Sequence, residues 1–255
     1  MTTSGKKTLD RMLSRAGLCS RAEAQRWIAA GRVAINARTV RDPETWVDAV
    51  RDRITVDGAP LRVRAKEVWA MHKPTGYVTT ADDEHDRDTV YALLPADAAW
   101  LAPVGRLDQD SSGLLLFTND SDLAHAITSP ASKLPKTYEV RIKGRPHDDA
   151  IARLRSGVEL HDGPTLPARV DVLDHDDRST RLRIVITEGR NRQIRRMVAA
   201  IGSRVHTLHR THIGPLALGD QPEGTCRRLA APDVQALRAA VSASAARSPN
   251  RGRVR

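Results

Sequence analysis

The sequence predicts an α+β chain, a small helix–strand module followed by a larger domain in which short helices interrupt many strands. Three observations carry this. Two short helical patterns near the N-terminus, each stopped by glycine, lead into brief apolar strands. The run Leu114-Leu115-Leu116-Phe117 has no polar interruption and reads as a buried strand. The segment Lys136 to Ile142 alternates apolar and polar residues as a half-buried strand does.

Taken in order, residues 1–7 are polar and expected to be disordered. Thr8 is placed to cap a helix from Leu9 to Ala16, and Gly17 supplies its left-handed stop. Ser20-Arg21-Ala22-Glu23 has the form of a capping box, opening a second helix through Ala30 that Gly31 ends. Leu9, Leu13, Leu18, Trp27 and Ile28 supply the apolar face, leaving Arg11, Arg15, Arg21 and Arg26 for solvent or a partner. Strands follow at 33–36, around Val40 and at 54–56, so residues 8–65 form one module and Lys66-Glu67 a linker.

The larger domain is expected over 68–240. Val68 to His72 reads as a strand, Lys73-Pro74-Thr75-Gly76 as a turn, Tyr77 to Thr80 as a second strand and Thr89 to Leu94 as a helix. The acidic loop 82–86 lacks the glycine and distal glutamate of a calcium loop and reads as solvated. Further helices are expected at 122–128 and 147–156, and strands at 158–160, 170–173 and 181–187. A helix opening in the run from Gly189 buries the stripe Ile194, Met197, Val198 and Ile201, with Arg192, Arg195 and Arg196 at its edge. His206, His209 and His212 recur every third residue, but a strand turns them to alternating faces, which argues against zinc. From 241 to 255 the chain is Ser/Ala/Arg-rich and expected to be a disordered basic arm.

Charge is distributed in blocks. Residues 1–65 hold 13 basic against 7 acidic side chains, residues 66–177 hold 12 against 20, and residues 178–210 hold 9 against 1. Two arginine-rich blocks around an acidic middle point to a polyanion, and nucleic acid fits better than a membrane because no basic amphipathic helix with an aromatic face occurs. No apolar stretch reaches the length of a bilayer span. The two cysteines, Cys19 and Cys226, show neither metal-ligand nor disulfide spacing, which suits a reducing cytoplasm.

Asp108 sits in the polar loop Gly105-Arg106-Leu107-Asp108 before the strand Leu114 to Phe117. Locally this could be a plain turn before a core strand. A carboxylate in such a loop could equally carry chemistry, since rigid elements hold it on both sides.

The motifs add a resemblance. Ser20 to Asn36 resembles the S4 RNA-binding domain, although Ala37 stands where that family has glycine. The resemblance implies RNA contacts from Arg21, Arg26, Arg32 and Arg38. Residues 68–240 resemble the RsuA/RluB family of ribosomal RNA pseudouridine synthases through four ordered motifs: His72 to Gly76 with Thr79-Thr80, Gly105 to Asp120, Lys136 to Val140, and Glu188 to Met197. Ser121 departs from the glycine usual there, and Asn191-Arg192 is nearer to the large-subunit, RluB-like branch. The resemblance implies a mixed, mostly antiparallel curved sheet flanked by helices, and conversion of a uridine in 23S rRNA to pseudouridine with no metal and no cofactor. It assigns Asp108 as nucleophile, Tyr138 as stacking surface and general base, and Arg195 as the ion-pair partner of Asp108. Arg106 would hold the RNA around the extruded base, with Arg190, Arg192 and Arg196 on phosphates. A monomer is expected for an enzyme that approaches a large RNA. Two alternatives stay open: a small-subunit (16S) rRNA synthase, and a non-catalytic rRNA-binding or ribosome-assembly factor.

Overall fold

The computed structural model describes residues 6–81, 83–96 and 98–246. The chain divides into two compact units: residues up to 68 with 95–102 and 117–121, and residues 69–94, 103–116 and 122 onward.

The first unit contains β1 (Lys6–Thr8), α1 (Leu9–Arg15), α2 (Arg21–Ala29), β2 (Val33–Ile35), β3 (Arg38–Val40), β4 (Trp46–Asp48), β5 (Ile54–Val56) and β6 (Ala59–Pro60). Strands β3-β2-β5-β6 form one sheet and β1 pairs with β4. Lys6 and Lys7, expected to be irregular, are thus in a strand, while residues 1–5 lie outside the described residues. Leu9, Leu13, Ala24, Ile28 and Val33 make the core, each at most 1% exposed. Burying a large aliphatic side chain contributes about 1.5–3 kcal/mol, which is what lets two short helices hold. Ser20 Oγ accepts from Glu23 N at 3.0 Å, as the capping box requires. Thr8 caps differently from expectation: its hydroxyl donates to Asp10 Oδ1 at 2.6 Å instead of accepting from the helix. Asp10 is buried and also accepts from Arg21 Nε and Gln25 Nε2, at 2.8 and 3.0 Å. Segments 95–102 and 117–121, expected in the second domain, cluster here because Asn119 bonds both Ala65 O and Glu67 N and Trp100 N bonds Gly17 O.

The second unit is built on β7 (Val68–Lys73), β8 (Ala102–Pro103), β9 (Ser112–Thr118), α3 (Ser121–Thr128), β10 (Lys136–Lys143), α4 (Asp148–Ser156), β11 (Glu159–Leu160), β12 (Gly163–Pro164), β13 (Arg169–His175), β14 (Ser179–Ile186), α5 (Gln193–Ala200), β15 (Val205–Ile213), β16 (Leu216–Ala217), β17 (Cys226–Arg228) and α6 (Ala231–Ala246), several of which cross the unit boundary by a few residues. The main sheet runs β13-β14-β10-β15-β9-β7-β17. Its β13–β14, β14–β10, β10–β15 and β7–β17 pairs are antiparallel, and β9 is parallel to β15. This is the mixed, mostly antiparallel α+β arrangement expected. Val140, Ile142, Leu182, Ile184 and Leu208 bury one face. From α5, Ile194, Met197 and Val198 are buried as the stripe predicts, while its fourth member, Ile201, is half-buried at the helix end.

Four local expectations change. Tyr77 to Thr80 is not a strand but a single bridge, Val78 to Thr89, and the helix at 89–94 is a 3₁₀ turn, Val90–Leu93, ended before Pro95. The basic helix begins at Gln193, because Gly189 to Arg192 is spent on a turn in which Arg192 adopts φ +46°. The expected tail from 241 continues α6 as far as Ala246, and 247–255 lie outside the described residues.

One glycine fixes the sheet centre. Gly113 has φ +107°, and a Cβ there would lie 2.3 Å from the carbonyl oxygen of Arg210. Only glycine lets β9 approach β15 so closely.

Candidate active site

The loop from Val104 to Ser111 leaves β8 and enters β9, and residues 73–79 clamp it. Thr79 Oγ1 donates to Leu107 O at 2.8 Å and accepts from Leu107 N at 3.3 Å. Gly76 N donates to Gln109 O at 2.8 Å, and Gln109 Nε2 returns a bond to Gly76 O at 3.0 Å. Beneath lies Lys73, fully buried, its Nζ donating to Pro74 O and Ser111 O, both at 2.8 Å. Burial pushes this ammonium down to about 8, while Asp108 and Asp110 pull the other way. The motif read as a turn is therefore the mount of the loop that carries Asp108.

Two arginines approach that loop from α5 and the turn before it. Arg192 Nη1 stands 3.5 Å from Asp108 Oδ2, and its Nη2 stands 3.2 Å from Asp110 Oδ2. Arg195 Nη2 donates to Asp110 O at 2.9 Å and to Ser111 Oγ at 3.2 Å, and pairs with Asp110 Oδ1 at 3.1 Å. Its Nε is buried, has no hydrogen-bond partner, and faces Asp108 Oδ2 at 3.9 Å. Arg195 is thus brought to Asp108 at the outer limit of an ion pair, with its strongest contacts on the neighbouring Asp110. The Asp108 side chain keeps 27% of its surface open.

These groups border a cleft of about 410 Å³ lined by Arg106, Asp108, Tyr138, Arg190 and Arg192, with Lys136 and Arg210 also in its wall. Tyr138 on β10 is 9% exposed and lies in register with Ile184 on one side and Arg210 on the other. A shift of register between Thr137 and Tyr138 sets which β15 residue faces it.

Other arginines singled out by sequence are engaged within the fold. Arg190, besides lining the cleft, donates to Gly163 O at 2.8 Å, to Pro164 O, and to Glu188 Oε2 at 3.2 Å. Arg196 is turned to Asp162, with Nη1 at 2.8 Å and Nη2 at 3.1 Å from its two oxygens. In the first unit Arg21 holds Asp10, and Arg32 forks onto Asp57 at 2.6 Å while lying 4.7 Å above the Trp27 ring. Arg26 and Arg38 are exposed.

Sequence reasoning missed Asp110, Lys73 and Arg210. Asp110 had a signal, since it lies two residues beyond Asp108 in the same loop. Arg210 had none locally, being one basic residue in a strand of alternating polar residues. Of the histidines, His209 bonds Ser112 Oγ at 2.9 Å and lies 5.2 Å from the His72 ring, and His206 is exposed. Among the described residues no group of three His, Cys, Asp or Glu is gathered to hold a metal ion, and no helix is long and apolar enough to cross a membrane.

Comparison with known proteins gives the family. Residues 67–200 match the family described as RNA pseudouridylate synthase, and residues 7–54 match the S4 domain. An uncharacterized RNA pseudouridine synthase of Aquifex aeolicus (strain VF5) is 35% identical over 222 residues, 87% of this chain and 89% of that protein. The ribosomal large subunit pseudouridine synthase B of Bacillus subtilis (strain 168) is 34% identical over 91% of this chain and 95% of its own length. A crystal structure of a pseudouridylate synthase superposes with a TM-score of 0.66 at 31% identity, covering 90% of this chain and 99% of that one. The chain therefore belongs to the RNA pseudouridylate synthase family, isomerases that act on RNA, and carries an S4 domain at its N-terminus.

Proposed function

We propose that the chain converts one uridine of large-subunit (23S) ribosomal RNA to pseudouridine, in the cytoplasm and as a monomer, with Asp108 as nucleophile and no cofactor. The observation that carries this is the partly open Asp108 carboxylate, set between Arg192 and Arg195 in the same cleft as Tyr138. The relatives named ribosomal large subunit pseudouridine synthase B support the choice of RNA.

The reaction breaks the bond from ribose C1′ to uracil N1, turns the base, and joins C1′ to C5. A carboxylate can engage C1′ without first losing a proton at neutral pH. The two arginines flank the carboxylate and aim it. The target base must leave its stack to reach the cleft, where the Tyr138 ring offers a surface to stack on and a phenolic oxygen for the C5 proton. Arg106 and Arg192, at the mouth, meet phosphates around the extruded nucleotide. The S4 domain grips structured RNA elsewhere through Arg26, Arg38 and the exposed parts of Arg21 and Arg32.

Large-subunit RNA carrying tritium at uracil C5 should release label with the wild-type protein and not with Asp108→Asn. Unchanged release from the variant removes Asp108 from the mechanism. Pseudouridine mapping across both ribosomal RNAs identifies the target. A site in the small-subunit RNA reassigns the substrate, and no site at all favours a binding factor.

A further inference from the structure

The wall of the cleft behind Tyr138 holds two cations that the mechanism above does not use. Arg210 is 5% exposed. Its Nε donates to Leu114 O at 2.7 Å, while its Nη2 is buried without a hydrogen-bond partner. Lys136 begins the strand that carries Tyr138, two residues away on the same face, and its Nζ has the Ile127 carbonyl at 3.5 Å. Burial pushes the Lys136 ammonium down to about 8, and the charge of Arg210 adds to that push. A buried guanidinium with an unmet donor, beside a half-buried ammonium of the same sign, costs stability unless a ligand with negative charge completes them.

A phosphate is the less suitable ligand. Phosphates stay with the RNA backbone, and the exposed arginines at the mouth already suit them. What enters as deep as Tyr138 is the base. Building on the reaction proposed above, we infer that Lys136 and Arg210 form a cationic seat for the uracil carbonyl oxygens and stabilise the base as an anion once its glycosidic bond breaks. When C1′–N1 cleaves, the electron pair goes to N1 and spreads over the ring to the carbonyl oxygens O2 and O4. The sugar is compensated at Asp108, either by a carboxylate bond to C1′ or by loss of a ribose proton to it. C5 then attacks C1′ as the carboxylate–C1′ bond breaks or as Asp108 returns the proton to the ribose, the C5 proton leaves, and N1 takes up a proton. Donors fixed where negative charge develops are the most effective form of electrostatic catalysis. A leaving group held in this way stays oriented while it turns.

The test compares wild type, Lys136→Gln, Lys136→Arg and Arg210→Lys in single-turnover assays on two RNAs, one with uridine at the target and one with 5-fluorouridine. Circular dichroism verifies the fold of each variant. Fluorine at C5 stabilises the ring anion and makes the base a better leaving group. Lys136→Gln should slow consumption of the uridine target about a hundredfold, and of the fluorinated target about tenfold or less, with RNA affinity unchanged. Lys136→Arg should recover most of the rate, and Arg210→Lys should show the same unequal loss in weaker form. Equal losses on both RNAs, or a loss confined to affinity and its salt dependence, overturn the seat while leaving the reaction standing. A wild-type protein that converts neither RNA overturns the reaction, and the seat with it.

Discussion

Arg195 holds Asp110 more tightly than it holds Asp108: its Nη2 is 2.9 Å from the Asp110 carbonyl oxygen, whereas its Nε is 3.9 Å from the Asp108 carboxylate. It therefore works first as the brace of a loop. Arg195→Met should lower the single-turnover rate about a hundredfold, the scale of a misplacement of about 1 Å, with RNA affinity little changed. Arg195→Lys should recover little, because one ammonium cannot reach the backbone, Ser111 and a carboxylate together. Rapid-quench assays beside filter binding separate the two effects.

Arg192 and Arg196 should behave oppositely although they are four residues apart. Arg192 lies at the open mouth of the cleft, so Arg192→Ala should weaken binding to all RNAs and reduce the salt slope by about one unit. Arg196 forks onto Asp162 through its two Nη atoms. Arg196→Ala should leave the salt slope alone and lower the melting temperature.

Much of this could be read in advance, and the physical reason differs from place to place. Leu114 to Phe117 announces itself because a buried strand has no polar face. Tyr138 and Asp108 lie in motifs whose residues are close in sequence. Arg210 was hidden because its meaning depends on a register shift opposite Thr137 and Tyr138 and on the approach of β9, both long-range facts. The start of α5 was misplaced because an arginine in left-handed conformation does the work usually given to glycine, and residue type alone does not reveal that. The short strands β1, β4 and β6 have too few residues for any period to show.

Ala37 shares the left-handed region with Asn36 in the turn between β2 and β3, at φ +67° and +50°. A non-glycine residue there costs about 1–2 kcal/mol, and glycine's greater freedom in the unfolded chain returns about 0.5–1 kcal/mol of that. Ala37→Gly should accordingly stabilise the protein by about 0.5–1 kcal/mol in urea titrations, with catalysis unchanged.

Lys73 gives a pH signature. Burial lowers it from 10.5 in the unfolded chain to about 8. Between those values the unfolded chain binds the extra proton, so stability contributed at this site rises with pH from about 8 to 10.5 and is flat below. Urea midpoints at pH 7.5 and 9.5 should show the wild type gaining relative to Lys73→Met. A gain of equal size in both proteins would assign the effect to other groups.

The contact between Gly113 and the peptide of Arg210 makes the interval from Asp108 to the sheet a ruler of fixed length. One end is pinned where two backbones touch, the other is the carboxylate proposed as nucleophile, and four residues lie between them. A single residue inserted between Asp108 and Gly113 would therefore shift the carboxylate away from Arg192 and Arg195 while the contact at Gly113 stayed in place.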